Sequence, residues 1–108
     1  MQEKPEKTST ILVIDDEPDM LRLLEHILTS EGYRVVLAAD GASALSTAKD
    51  TKPDLILLDI IMPGPDGFAV LDSFRKFSDA PVIMVTAKRD LESLQKSLEL
   101  GADDYIKK

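Results

Sequence analysis

Two short runs of large aliphatic residues in this chain each end abruptly in aspartate. The first run, Ile11-Leu12-Val13-Ile14, is followed by Asp15-Asp16, and the second, Leu55-Ile56-Leu57-Leu58, is followed by Asp59. Uninterrupted apolar runs of this length predict strands that are buried on both faces, as in a parallel sheet covered by helices. Because ligands of such sheets collect just beyond the carboxyl ends of the strands, we expect these three carboxylates to lie close together.

The rest of the sequence alternates strand and helix patterns. Helical spacing of apolar residues separates consecutive strands, and the third predicted helix carries phenylalanines at Phe68, Phe74 and Phe77 on one face. The alternation predicts an α/β fold with a doubly wound parallel sheet, although the pattern alone does not give the strand order. The predicted strands are Ile11 to Asp15, Val35 to Ala38, Leu55 to Leu58, Val82 to Val85 and Tyr105 to Lys107.

Composition excludes several classes of function. The 108 residues suffice for one domain, and the net charge of −7 argues against nucleic-acid or anionic-membrane binding by this segment. The chain has no cysteine and a single histidine, which excludes thiolate chemistry and makes a histidine-built metal cluster untenable. Without a secretory signal or a stretch of membrane-spanning length, we expect a cytoplasmic protein with a flexible leader over residues 1–9 and one domain over residues 10–108.

The residues that follow the predicted strands could build a phosphoryl-handling site. Oxygen ligands from the aspartates suit Mg²⁺, with Mn²⁺ as an alternative ion. Thr86 and Lys108 could hold phosphoryl oxygens, one through a hydrogen bond and the other through its charge. An aspartate beside a divalent ion can also accept a phosphoryl group and become an acyl phosphate. The strand-end residues of this predicted site are Asp15, Asp16, Asp59, Thr86 and Lys108.

Each of these signals also has an ordinary structural explanation. Asp15-Asp16-Glu17-Pro18 is equally typical of a capped helix start with acids in its first turn. Thr86 could simply cap a strand end, and Lys108 could be a solvated terminal lysine. The hypothesis of a site therefore depends on the appearance of all these residues at successive strand ends.

In several of its segments, spread over essentially its whole length, the chain resembles the receiver domain of two-component response regulators. This resemblance implies a flavodoxin-like five-stranded parallel sheet with the order 2-1-3-4-5. The segments that carry it are Ile11-Leu12-Val13-Ile14-Asp15-Asp16-Glu17, Asp54-Leu55-Ile56-Leu57-Leu58-Asp59, Met62-Pro63-Gly64-Pro65-Asp66-Gly67, Pro81-Val82-Ile83-Met84-Val85-Thr86-Ala87 and Gly101-Ala102-Asp103-Asp104-Tyr105-Ile106-Lys107-Lys108.

The resemblance also implies a phosphorylation switch. Asp59 would accept a phosphoryl group from a phosphohistidine on a sensor histidine kinase or on a phosphotransfer protein. Mg²⁺ would be bound by Asp16, Asp59 and the backbone carbonyl of Ile61, with Asp15 nearby or acting through water. Lys108 would pair with the phosphate. Thr86 and Tyr105 would be the switch residues that change position on phosphorylation.

Other functions remain to be weighed against this one. A receiver-like module could bind partners without being phosphorylated, but the full set of acids, hydroxyl and lysine favours the switch. A Mg²⁺-dependent phosphohydrolase of the haloacid dehalogenase type would need an acid two residues after the nucleophile, where this chain has Ile61. We therefore expect no enzyme activity beyond self-phosphorylation from small phosphodonors and autodephosphorylation.

One departure from the family concerns the carboxyl terminus. Receivers normally continue past the lysine through a proline into a fifth helix, whereas Lys108 is the last residue of this sequence. We therefore expect a C-terminally truncated domain without that helix. Its absence is expected to expose Ile11, Val13 or Ile106, and a second copy of the chain is a candidate partner for that face.

Overall fold

The computed structural model describes residues 9–62, 66–86 and 91–107; the side chains at 86, 91–94, 105 and 107 lie outside this description. Strands and helices alternate strictly in these ranges, as the apolar pattern predicts. The strands are β1 (Thr10–Ile14), β2 (Arg34–Ala38), β3 (Leu55–Leu58), β4 (Val82–Thr86) and β5 (Asp104–Lys107). The helices are α1 (Pro18–Ser30), α2 (Gly41–Thr51), α3 (Gly67–Phe74) and α4 (Leu91–Glu99).

All neighbouring strands in the sheet run parallel. The order is β2-β1-β3-β4-β5, so β1 and β3 are adjacent at the centre although α1, β2 and α2 separate them in sequence. The predicted parallel α/β sheet with helices on both faces and the order 2-1-3-4 is confirmed. At the edge, β5 pairs with β4 from Ile83 opposite Asp104 to Thr86 opposite Lys107.

The larger part of the core lies between the sheet and the helices α2 and α3. Because side chains alternate along a strand, every second residue of β1, β3 and β4 points to this face. The strand residues Leu12, Ile14, Ile56, Leu58, Val82 and Met84 pack there against Ala44, Ala48, Val70, Leu71 and Phe74 of the helices. Small alanines on α2 allow that helix to approach the sheet closely.

On the opposite face α1 packs over β1, with Leu21 buried against Ile11 and Val13. These two strand residues are only 2% and 1% exposed, so the expectation that they would be exposed is wrong. The reason is that α1 covers them directly. Leu55 and Leu57 on β3 are half-buried on this face, whereas Ile106 on β5 is 48% exposed, as expected.

The third helix is shorter than the sequence predicts. The phenylalanine spacing extends the pattern to Phe77, but α3 ends at Phe74 with Arg75 as its C-terminal cap. Lys76 and Phe77 donate their N–H groups to carbonyls three residues earlier, which tightens the chain into a turn. Phe77 therefore leaves the core face, is 40% exposed, and meets Phe74 edge to face with ring centroids 6.0 Å apart.

None of the helices in the described part of the chain has the length and apolar character that a membrane span requires.

The start of α2 gives a prediction about pH. The Asp40 carboxylate accepts hydrogen bonds from the backbone N–H and the hydroxyl of Ser43, and chiefly the first holds the pKa of Asp40 below its ordinary value of 3.8. Because the pKa is lower in the folded state, this carboxylate stabilises the fold above about pH 4 and the contribution is lost as the pH falls through the folded pKa. Asp40→Asn keeps a capping oxygen but cannot ionise. Its melting temperature should therefore fall less than that of the wild type between about pH 5 and about pH 3. Parallel melting curves at both pH values would contradict this.

Candidate functional site

Two buried aspartates meet where β1 and β3 end. Ile14 and Leu58 are paired across these strands, so the next residues, Asp15 and Asp59, emerge side by side. The Asp59 N–H donates to the carbonyl oxygen of Ile14 at 3.0 Å, which extends the strand pairing to the aspartate itself. The two residues are only 2% and 4% exposed. The sheet register therefore fixes the relative position of both carboxylates.

A third carboxylate, that of Glu17, completes the group. One carboxylate oxygen from each of Asp15, Glu17 and Asp59 lies within 4.8 Å of the others. The Glu17 N–H donates to Asp15 Oδ1 at 2.9 Å, a local contact between two members of the group just before α1. Asp16 is exposed and does not belong to the group. Sequence reasoning assigned Glu17 only to a helix start, although its place directly after the aspartate pair was the available signal.

The chain that follows Asp59 is held close to the site. The Ile61 N–H donates to Asp59 Oδ1 at 3.3 Å, and the Gly67 N–H donates to the carbonyl oxygen of Ile60 at 2.8 Å. A Cβ atom at Gly67 would lie 2.3 Å from the carbonyl oxygen of Asp59. Only glycine can therefore occupy this position without displacing the backbone of the central aspartate. The Asp66 side chain accepts from the Ala69 N–H at 3.0 Å and starts α3 there.

The electrostatics of this group favour a cation. Carboxylates so close together repel one another, and the burial of Asp15 and Asp59 reduces the screening of that repulsion by water. A hard divalent cation that prefers oxygen ligands removes this cost, and Mg²⁺ and Mn²⁺ meet this description. The donor set therefore fits the ion that the sequence predicted.

The other predicted site residues are described only in part. Ile61 lies in the loop after Asp59 and its side chain is 54% exposed. Thr86 ends β4, the strand next to β3, but its side chain lies outside the described residues. The same applies to the side chain of Tyr105 on β5, and Lys108 lies wholly outside them.

A doubly wound parallel sheet that begins with the order β2-β1-β3-β4 belongs to the flavodoxin-like class of α/β folds, and the acidic group lies at the carboxyl ends of its central strands, where such folds bind their ligands. The family model of the response regulator receiver domain matches residues 11–108. The chain belongs to this family, the receiver domains of two-component response regulators. The resemblance seen in the sequence is thereby confirmed.

Individual relatives agree with this assignment. The probable transcriptional regulator ycf27 of Porphyridium aerugineum is 52% identical over 98 residues, which are 91% of this chain and 41% of that protein. The DNA-binding response regulator MtrA of Mycolicibacterium smegmatis is 41% identical over 91% of this chain and 43% of its own length. The solved structure of the Thermotoga maritima response regulator TrrA with Mg(2+)-BeF has a TM-score of 0.85 and 39% identity, covering 94% of this chain and 87% of TrrA. The chain thus spans about two fifths of the length of the curated relatives.

Proposed function

We propose that this receiver domain is a phosphorylation-activated switch that accepts a phosphoryl group on the carboxylate of Asp59. The observation that carries the proposal is the placement of a buried carboxylate at the end of a central strand, within 4.8 Å of two other carboxylates. Such a cluster attracts a cation, and a cation is what a phosphoryl group needs in order to approach an aspartate.

The transfer is a simple displacement at phosphorus. A carboxylate oxygen of Asp59 forms a new bond to phosphorus, while the bond from phosphorus to the imidazole nitrogen of a phosphohistidine breaks. The nitrogen keeps the bonding electron pair and takes a proton from solvent. With a small donor such as acetyl phosphate, the leaving group is acetate. The product in both cases is an acyl phosphate on Asp59.

The chain's own residues contribute position and charge. The Ile61 N–H holds Asp59 Oδ1, and the sheet register holds the strand end, so the nucleophile is oriented before the donor arrives. Asp15, Glu17 and Asp59 are the described side chains that would hold Mg²⁺, and Asp16 and the carbonyl of Ile61 are further proposed ligands. When bound, Mg²⁺ supplies positive charge that offsets the charge of the transferring group. Mn²⁺ is the alternative ion.

The response to phosphorylation is proposed to involve β4 and β5. Thr86 ends β4, the strand next to β3, and we propose that its hydroxyl bonds a phosphoryl oxygen on Asp59. Tyr105 would turn inward with it, and Lys108 would pair with the phosphate. New charge at Asp59 would thus bias a two-state element on this side of the sheet.

The proposed phosphodonor is a sensor histidine kinase or a phosphotransfer protein. A relative such as MtrA is a DNA-binding response regulator more than twice as long as the matched segment, so we propose the same kind of output for the protein to which this domain belongs. We assign residues 10–108 to the receiver domain and residues 1–9 to a leader. The net charge of −7 argues against DNA contact by this segment itself.

Intact-mass spectrometry after incubation with acetyl phosphate and Mg²⁺ tests the proposal. The wild type should gain one phosphoryl group, and peptide mapping after borohydride reduction should locate it at Asp59. Asp59→Asn should gain none. Unmodified wild type, or equal labelling of Asp59→Asn, would refute the proposal and favour a phosphorylation-independent interaction module.

The metal ligands can be distinguished by two matched variants. Glu17→Gln and Asp16→Asn each remove one negative charge at neighbouring positions. If both residues hold the ion, each variant should weaken Mg²⁺ binding by about tenfold and slow labelling correspondingly. Without Mg²⁺ the melting temperature of each variant should equal or exceed that of the wild type, because a repelling charge is removed. Unchanged Mg²⁺ affinity in one variant removes that residue from the ligand set.

A further inference from the structure

A cavity lies at the end of the sheet where the strands begin, opposite the carboxylate group. Its volume is about 490 Å³, within the range of small-molecule sites. It lies between the carboxyl end of α2 and the segment that joins α3 to β4. The residues that line it are Ala48, Lys49, Lys52, Pro53, Asp54, Phe77, Ser78, Asp79 and Ala80. None of them belongs to the carboxylate group described above.

One wall of this cavity is apolar and carries a cation. Phe77, which leaves the core face because α3 ends early, is 40% exposed. The ammonium nitrogen of Lys49 lies 5.3 Å from the centroid of that ring. Ala48, Pro53 and Ala80 extend the apolar surface. A ligand here would meet an apolar wall and a positive charge together.

The second lysine is held in an unusual backbone conformation. Lys52 has a φ of 49°, the one non-glycine residue in the described ranges with positive φ. Residues other than glycine rarely adopt this backbone conformation. It ends α2 and leaves Lys52 at the rim of the cavity. Among the described residues, neither Lys49 nor Lys52 has a carboxylate within 4.0 Å. Two ammonium groups therefore line the cavity without an anionic partner in that part of the chain.

The facing loop is already fixed in position. Arg75 donates to the carbonyl oxygens of Ser78 and Ala80 at 3.2 and 2.8 Å, and the Ala80 N–H donates to Ser78 Oγ at 3.1 Å. A preformed wall reduces the ordering cost of binding. The lining also holds two exposed aspartates, Asp54 and Asp79, which balance the two lysines, so the charge of the ligand must be small. Part of the Asp54 charge is offset because its Oδ2 accepts from the Thr10 N–H at 2.8 Å. One negative charge fits this balance better than several.

We propose that this cavity binds a small monocarboxylate with an aromatic or apolar body. The carboxylate would lie between Lys49 and Lys52, and the apolar body would pack on Phe77 and the neighbouring alanines and proline. The inference does not depend on phosphorylation of Asp59, because the two sites lie at opposite ends of the strands.

Titration of the ¹⁵N-labelled protein with 3-phenylpropionate, followed by amide chemical shifts, tests this proposal. For a ligand of this size we expect saturable shifts at the cavity residues with a Kd on the order of 1 mM. The uncharged 3-phenylpropanamide, which has the same ring and chain length, should bind roughly threefold to tenfold more weakly.

Variants separate a built site from nonspecific apolar contact. The double substitution Lys49→Met and Lys52→Met should weaken binding of the carboxylate by roughly threefold to tenfold, to the level of the amide. Lys76→Met, at an exposed lysine that does not line the cavity, is the matched control and should bind as the wild type does. The proposal is overturned by non-saturable shifts, by shifts centred elsewhere, by equal binding of the amide, or by full affinity in the double variant.

Discussion

Gly67→Ala is expected to destabilise the domain and to disable phosphorylation together. The added Cβ would lie 2.3 Å from the carbonyl oxygen of Asp59 and 2.6 Å from Cα of Ile60, and neither backbone atom can turn aside as a flexible side chain would. The backbone after β3 must therefore move, at a cost of about 2–4 kcal/mol, at or above the usual range for overpacking. Because the displaced residue is the proposed phosphoryl acceptor, labelling should also slow by about 100-fold.

Urea unfolding and the rate of labelling by acetyl phosphate measure the two effects separately. Gly32→Ala is the matched control: its φ of 95° is also unfavourable for alanine, but its Cβ would have nothing within 4 Å. It should cost only about 1 kcal/mol and leave the labelling rate unchanged. Equal effects of the two substitutions would show that the approach of Gly67 to Asp59 is unimportant.

Arg75→Met is expected to lower the free energy of unfolding by about 2–4 kcal/mol. The Arg75 guanidinium donates to the carbonyl oxygens of Gly101, Ser78 and Ala80, and so joins the end of α3 to the turn before β5. Methionine keeps much of the apolar contact of the side chain but leaves these carbonyls without their donor. The cost comes from the loss of several hydrogen bonds at one partly buried place.

The ion pair between Arg75 and Asp103 contributes much less than those carbonyl contacts. The two groups are 3.1 Å apart, but the Asp103 side chain is 55% exposed and solvent screens the pair. Asp103→Asn also keeps an oxygen that can accept from the Val82 N–H, as Asp103 Oδ2 does at 2.9 Å. It should cost less than about 1 kcal/mol in urea unfolding. A cost equal to that of Arg75→Met would mean that the ion pair dominates.

The fold was predictable where the spacing of apolar residues along the sequence depended on one strand or helix alone. The aliphatic runs of β1 and β3 identified the central strands. A strand that is covered by helices on both faces has apolar residues at every position, so no polar residue interrupts its sequence. The end of α3 was not predictable in this way. The phenylalanine spacing continues to Phe77, but the helix ends at Phe74, where Arg75 makes long-range contacts with Gly101, 26 residues away. Hydrophobic periodicity carries no information about such contacts.

The candidate site was predictable in its location and less so in its membership. Neighbouring parallel strands end at the same side of the sheet, and the pairing of β1 with β3 therefore brought Asp15 and Asp59 together as expected. Whether Asp16 or Glu17 turns toward them depends on the conformation of one turn, which the Glu17 N–H to Asp15 Oδ1 contact sets. A helix start and a metal site share the same acidic sequence, so residue type alone could not separate them. Gly67 was noted only as part of a segment that carries the family resemblance, and its close approach to Asp59 depends on how α3 packs.

The central strand β3 is fastened to β1 at both of its ends. The Asp54 N–H donates to the carbonyl oxygen of Thr10 at 2.8 Å before the strand, and the Asp59 N–H donates to that of Ile14 at 3.0 Å after it. These anchor points are roughly 16 Å apart at the rise of an extended strand. Sliding by one residue would break both and would carry the fully buried Leu58 to the other face. β3 therefore acts as a spacer of fixed length and register between the carboxylate group at one of its ends and the cavity at the other.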